Sequence, residues 1–382
     1  MIRPLWAEIN LKALRDNYQA IRLYVGEKTR IIAVVKQSAY GHGLIPVSRE
    51  LRSQGVDFFG VASIEEAISL REDGFKGDII VLTSILEEFV SYFLEYDLIP
   101  TVVDLGFAKK LNKEARSKNK RVPIHVKIDT GMGRLGPGYQ QAHLFIKELM
   151  NFKNLNLEGI YTHFPVADTD TVFTNFQIEA FNQFICSLNE DNISFKYCHC
   201  ANSMGIINYP NAHFNMVRPG LILYGIKPCL NCDLILDPVL TLKAKVVFVK
   251  KNKQGSSVGY GRTFLVSEEG NIATIAVGYA DGYPWALSNR SKVIIKDKLF
   301  NVAGRVCMDH IMVDLKDDND VKQGQEVILI GKSKNHQITV EDLAQESRTI
   351  PYEIVSRLSS KIPRIYKYFK VETKQEGQQV IR

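Results

Sequence analysis

Along the first half of the chain, short apolar runs alternate with longer stretches in which apolar residues recur at helical spacing. Runs rich in Val, Ile and Phe fall near 30–36, 58–63, 78–83, 99–104, 122–128, 157–163, 195–200 and 216–218. Between them, 64–74, 107–119 and 172–189 read as amphipathic helices, and a further helix over 10–24 precedes the first run. An apolar run without alternation is a strand covered on both faces, as parallel strands are. Eight such strands with crossover helices can close into a (β/α)8 TIM-type barrel, whose functional groups gather at the carboxyl ends of the strands. An open doubly wound sheet is the alternative. Past about residue 235 the pattern turns to period two, with runs at 242–250, 271–278, 292–295, 300–302 and 326–330 separated by Gly, Asn, Asp and Lys turns. The reading is therefore an α/β barrel over residues 1–235 and a C-terminal mainly-β domain over 236–382. The boundary falls near 233–240, a short helix near 339–345, and a frayed end over about the last ten residues.

Composition narrows the class. The chain has 382 residues, 45% of them hydrophobic, which is enough for two real cores. Its net charge of +6 comes from 48 basic and 42 acidic side chains spread along the chain, without a basic block interleaved with aromatics, so no nucleic-acid partner is expected. No stretch has the length of a membrane span, and Met-Ile-Arg-Pro-Leu-Trp-Ala-Glu at the start lacks a signal region, so no membrane association and a cytoplasmic location are expected. The cysteines are Cys186, Cys198, Cys200, Cys229, Cys232 and Cys307. Cys229 and Cys232 form an isolated pair and Cys198-His-Cys200 alternates strand faces, so reduced thiols are expected and no metal site.

The strand ends carry the candidate chemistry. Lys36 follows the first run, where it either points to solvent or offers a desolvated amine for Schiff-base or proton-transfer work. Lys127 and Arg134 flank the end of the fifth strand, His163 ends the sixth, Asn202 and Ser203 follow the seventh, and Arg218 ends the eighth. In a barrel these groups and the amides of Gly220-Leu221 surround one mouth, suited to an anionic ligand with a phosphate and a carbonyl carbon, such as pyridoxal phosphate. Two motifs here are weak. Gly131-Met-Gly-Arg-Leu-Gly136 has dinucleotide-loop spacing, but Glu158 precedes the next strand where a ribose ligand should end it. Asp129-Thr-Gly131 has no second carboxylate loop to make a protease dyad.

Together the motifs point further. They are Val35-Lys36-Gln37-Ser38-Ala39-Tyr40-Gly41-His42-Gly43, Lys127-Ile-Asp-Thr-Gly-Met-Gly-Arg134-Leu-Gly136, Tyr161-Thr-His163-Phe, His199-Cys-Ala-Asn-Ser203 and Val217-Arg218-Pro-Gly220. The second half adds Gly259-Tyr260-Gly261, Gly278-Tyr-Ala-Asp-Gly282 and Cys307-Met308-Asp309. In order and spacing the set resembles the alanine racemase family over about residues 4–366. The resemblance implies a fold-type III pyridoxal-phosphate enzyme, an isomerase acting on amino acids and supplying D-alanine for peptidoglycan. It also implies a head-to-tail homodimer whose two active sites each take residues from both chains. By the family pattern Lys36 holds the cofactor as a Schiff base, and Tyr40, Ser203, Gly220, Leu221 and Tyr352 contact its phosphate, beside Asn202. Arg218 meets the pyridine nitrogen, Arg134 lies near the phenolic oxygen and the substrate carboxylate, and Lys127 is a position often carbamylated that braces Arg134. Lys36 and Tyr260 of the second subunit are the two opposing bases, with His163 linking that tyrosine to Arg218. Met308 offers its amide to the substrate, while Asp168, Tyr279, Arg305 and Tyr352 match the access corridor.

The roles make physical sense. An arginine cannot surrender its proton, so at the ring nitrogen it leaves a weaker electron sink than an acid would, which favours racemisation over side reactions. A tyrosine with an ordinary pKa near 10 is a poor base unaided and needs a network. Taken alone, Tyr260 between two glycines is a turn aromatic and His163 a satisfied core histidine. The chain departs from the family at Gln37-Ser38, commonly Ala-Asp, and at Pro165-Val166, commonly small residues, so access and substrate range are what these positions put in question. The alternatives are a serine or broad-specificity racemase, a fold-type III amino-acid decarboxylase, or a non-catalytic pyridoxal-phosphate carrier.

Overall fold

The computed structural model describes residues 4–227 and 234–368. Cys229, Cys232, part of the expected domain boundary and the expected frayed end lie outside these residues.

All eight expected barrel strands form. Ala33–Val34, Phe58–Val61, Asp78–Val81, Ile99–Val102, Val122–Lys127, Leu155–Tyr161 and Tyr197–His199 lie side by side in chain order, with parallel pairing throughout. The eighth, Met216–Val217, pairs in parallel with Arg30–Ile31, the first half of the opening strand, and so brings the barrel round. The seam between the seventh and eighth strands is bridged by one side chain. Asn215 accepts from the Cys198 N–H and donates to the Lys196 carbonyl, each at 2.8 Å.

Period-two alternation layers the barrel interior. Phe58, Ile99, Tyr197 and Met216, each the first residue of its strand, pack with Ile32 and Ile80 as an apolar plug at the amino-terminal end. Two residues further along the strands the inward positions turn polar, giving Thr101 after Ile99 and His199 after Tyr197. Gly159, Tyr161 and His163 follow one another on the sixth strand in the same way, as do His125 and Lys127 on the fifth. Helices on the outside bury one face against the strands and begin at side-chain caps, such as Asp104 accepting from the Phe107 N–H and Asp170 from the Phe173 N–H.

The second sheet has nine strands, and its longest, Leu240–Asn252, also pairs with Glu326–Lys332, so the sheet curls onto itself. Two of its strands come from the chain's ends. Leu5–Asn10 runs antiparallel to Leu240–Asn252 and parallel to Arg364–Lys367. The sequence reading places residues 5–10 with the barrel, but Leu5, Ala7 and Ile9 alternate as fully buried positions and are covered in the second sheet. Among the described residues no helix is long and apolar enough to cross a membrane.

Candidate active site

At the carboxyl end of the opening strand the backbone does something the sequence does not announce. Gln37, Ser38, Ala39 and Tyr40 take φ of 52°, 53°, 54° and 52°, a left-handed turn without a glycine, before Gly41 continues it at 80°. Left-handed geometry costs an L-residue roughly 1–2 kcal/mol, so the turn survives only because its surroundings hold it. Glu66 accepts from the Ser38 N–H at 2.9 Å and from the Ala62 N–H at 3.2 Å, tying the turn to the neighbouring strand end. From the second domain, the Arg364 guanidinium donates to the Gly41 carbonyl at 3.0 and 3.1 Å and Tyr366 Oη to the His42 carbonyl at 3.2 Å. A Cβ on Gly41 would meet the Val355 carbonyl oxygen at 2.1 Å, so the closeness of that helix requires glycine there.

The turn aims Lys36 into a cavity of about 480 Å³ at the barrel mouth, lined also by Tyr40, Lys127, Arg134, His163, Asp168, Asn202, Ser203, Arg218, Gly220 and Tyr352. Asp168 is the one carboxylate against two lysines and two arginines in that lining. Burial lowers the pKa of Lys36, Arg134 and Arg218 lower it further, and Glu66 opposes them. Lys127, only 2% exposed, is brought down to about 8 by burial and then by the same two arginines.

Arg218 is buried and held on several sides. One terminal nitrogen donates to His199 Nδ1 at 2.6 Å. The other donates to the carbonyls of Thr162 and Cys200, each at 2.9 Å, and to His163 Nδ1 at 3.2 Å. Its guanidinium carbon also lies 5.1 Å from the Tyr161 ring centre. No protein acceptor among the described residues meets its Nε. Burial, and then Arg218, push His163 well below the usual imidazole range, so it is neutral.

Opposite lies a second donor group. Tyr40 packs 5.2 Å from Tyr224 and 6.2 Å from Tyr352, and a Cβ on Gly220 would meet its hydroxyl at 2.6 Å. Ser203 Oγ accepts from the Gly220 N–H at 3.0 Å. Ser203 and Leu221 each begin a short helical turn, Ser203–Asn208 and Leu221–Tyr224, so their own N–H groups have no intrahelical acceptor. Phenol, hydroxyl and free amides together form a phosphate-sized donor set.

The chain matches the models of the alanine racemase N-terminal domain over residues 9–228 and of the alanine racemase C-terminal domain over residues 239–366. The chain belongs to the alanine racemase family. It is similar to the alanine racemase of Halothermothrix orenii, 41% identical over 96% of this chain and 97% of that one. The alanine racemase of Methanococcus maripaludis is 38% identical over 95% and 98%. Among solved structures, the alanine racemase of Bacillus anthracis with bound L-Ala-P superposes with a TM-score of 0.90 at 32% identity, covering 96% of each chain. The Bartonella henselae alanine racemase with covalently bound pyridoxal phosphate gives 0.86 at 29% identity, covering 95% of this chain and 99% of that one.

Five site candidates do not line the cavity. Leu221 is buried and outside the lining. Tyr260, Met308, Tyr279 and Arg305 lie on the second domain and outside the cavity lining, and the first three are 71%, 53% and 46% exposed. The dinucleotide-like loop is filled by its own carboxylate, since Asp129 accepts from the N–H groups of Gly131, Met132 and Gly133 at 2.7–2.8 Å. The sequence reading gave no role to Glu66, Tyr161 or His125. The last two were findable, standing two residues before His163 and Lys127 on inward-facing strand positions.

Proposed function

We propose that the chain interconverts L- and D-alanine, with pyridoxal phosphate bound in the barrel mouth and two chains completing each other's sites in a homodimer. The observation that carries the reading is Lys36, a partly desolvated amine on a braced turn, in a cationic mouth that also holds Arg218 and a phosphate-sized donor set. When bound, the cofactor withdraws electrons from the substrate's α-carbon and so acidifies its hydrogen.

The residues divide the work. Lys36 would hold the cofactor through its amine, and the same amine is placed to move a proton on one face of the α-carbon. Tyr40, Ser203, Leu221 and Tyr352, with Asn202 beside them, would grip the phosphate, and Gly220, whose N–H donates to Ser203 Oγ, would keep room beside it for the Tyr40 hydroxyl. Arg218 would offer the pyridine nitrogen a hydrogen bond but no full proton, which would restrain side reactions. His163 accepts from Arg218 at Nδ1, which leaves its Nε2–H as a donor that stabilises the basic form of Tyr260 of the partner subunit on the opposite face. Arg134 and the amide of the partner's Met308 hold the substrate carboxylate, and Asp168, Tyr352 and the partner's Tyr279 and Arg305 line the way in. Lys127, with a pKa near 8 beside Arg134, is a ready amine for carbamylation, which would turn two like charges into a pair. The enzyme would work in the cytoplasm and feed peptidoglycan synthesis.

A chiral assay of cofactor-loaded protein against a panel of L-amino acids tests this. D-alanine should be the dominant product. Carbon dioxide release instead of D-alanine overturns the reading, and faster turnover of L-serine than L-alanine overturns the substrate assignment.

A further inference from the structure

Behind Arg218 the barrel interior contains a hydrogen-bonded chain that the roles above do not use. His199 Nε2 lies 2.8 Å from His125 Nδ1, and both rings are fully buried. Tyr161 stacks on His199 at 4.6 Å, while Phe58 meets His125 edge-on at 5.9 Å. Among the described residues, none offers His125 Nε2 a hydrogen-bond partner.

The direction of this chain follows from its first member. A guanidinium only donates, so His199 Nδ1, 2.6 Å from it, must be the acceptor and the hydrogen of His199 sits on Nε2. That hydrogen points at His125 Nδ1, which must accept, so the hydrogen of His125 sits on Nε2 and is buried without an acceptor. Burial holds both rings well below the ordinary imidazole range, so neither is an imidazolium that would reverse a bond.

A residue that served only to fill space would not be a histidine with an orphaned donor, since an apolar ring would fill the place without that penalty. The wall opposite is hollowed for it. A Cβ on Gly159 would lie 2.5 Å from the imidazole, so the sixth strand carries a glycine where the ring needs room.

We propose that His125 is a positioning residue for Arg218, the terminal acceptor of an Arg218→His199→His125 relay that fixes the tautomer of His199 and hence the direction of the guanidinium's hydrogens. Without it, His199 keeps an unpaired buried N–H or moves that hydrogen to Nδ1, where it would face Arg218 donor to donor. The first outcome leaves the His199 ring unanchored at its far side, and the second turns the guanidinium away from the ring nitrogen it is proposed to meet. The inference rests on that reading of Arg218.

Nitrogen NMR of the holoenzyme labelled in histidine should show both His199 and His125 as Nε2–H tautomers. An Nδ1–H tautomer or an imidazolium at either overturns the relay, whatever the enzyme's activity. His125→Phe removes the acceptor, whereas His125→Gln keeps one in the side-chain oxygen. Pyridoxal phosphate should dissociate about tenfold more readily from the Phe variant, with a shifted absorbance band, and the Gln variant should recover most of both. Equal retention and an unchanged band in all three proteins overturns the proposal. Should the Phe variant fail to fold, the tautomers of the unaltered protein still decide. Protein that binds no pyridoxal phosphate would instead sink the proposed function.

Discussion

Lys36 and Lys127 share one desolvated mouth with two arginines, yet they are asked to do different things. Lys36 is the amine that the left-handed turn presents to the cavity, so borohydride reduction of the loaded enzyme followed by peptide mapping should place the cofactor on Lys36, and a label on Lys127 would reverse the assignment. Lys127 carries a cost. Its folded-state pKa of about 8 lies below the ordinary 10.5, so between these values the unfolded chain binds more protons and stability rises with pH. Below about 8 the full penalty is present, at most about 3 kcal/mol. Lys127→Met should therefore raise stability at neutral pH and flatten the rise towards pH 10, read by urea unfolding in bicarbonate-free buffer. Arg218→Glu should lower racemisation and raise the share of transamination, because an acid can protonate the ring nitrogen. It will also lose stability, since the carbonyls of Thr162 and Cys200 would face a carboxylate. The ratio of the two products is the measurement, and an unchanged ratio contradicts the restraint assigned to Arg218.

The element that decides the site is the turn from Gln37 to Gly41, and it shows where a sequence reading stops. The apolar run before Lys36 marks the strand, and Gly41 marks a break, but Gln37, Ser38, Ala39 and Tyr40 give no sign of positive φ. Their conformation is imposed from outside by Glu66, by Arg364 and by the close helix at Val355. Glu66→Ala should remove the acceptor of the Ser38 and Ala62 N–H groups and cost roughly 1 kcal/mol, since the Ser38 bond is exposed to water. Because Glu66 is the group that raises the pKa of Lys36, the same change should lower it further. The pH dependence of acylation of the apoprotein at Lys36 measures that shift, and a midpoint unmoved or higher would contradict it. The barrel strands were legible to within about three residues at each end, because burial on both faces writes itself as an unbroken apolar run. The short helices Leu44–Ser53, Ala142–Leu149 and Pro351–Ser356 were not.

At the scale of the whole molecule, one chain presents half of the proposed machinery inward and half outward. Lys36 faces its own cavity, whereas Tyr260, 71% exposed, stands on the other domain outside that cavity. A tyrosine needed as a base against a lysine it does not approach must come from a second copy, and a closed two-fold pairing gives both sites the same completion. Lys36→Ala and Tyr260→Ala should each be nearly inactive. Mixed subunits, with exchange verified by mass, combine one site carrying both lesions with one intact site, and should recover up to about half the activity per heterodimer. Verified heterodimers without activity would confine Tyr260 to its own chain or remove it from the reaction.

The sequence by itself determined the two sheets, the family and the identities of the groups at the strand ends, because strand periodicity and motif spacing are local properties. Tertiary structure decided how those groups are placed. Only packing sent Leu5–Asn10 into the second sheet, where its alternate buried residues find cover. Only packing bent four ordinary residues into a left-handed turn. The tautomers of His199 and His125 follow from which nitrogen meets Arg218, a matter of distances across a closed barrel between residues up to 74 positions apart in the chain. Hydrogen-bond direction and desolvation depend on neighbours in space, and no local pattern encodes them.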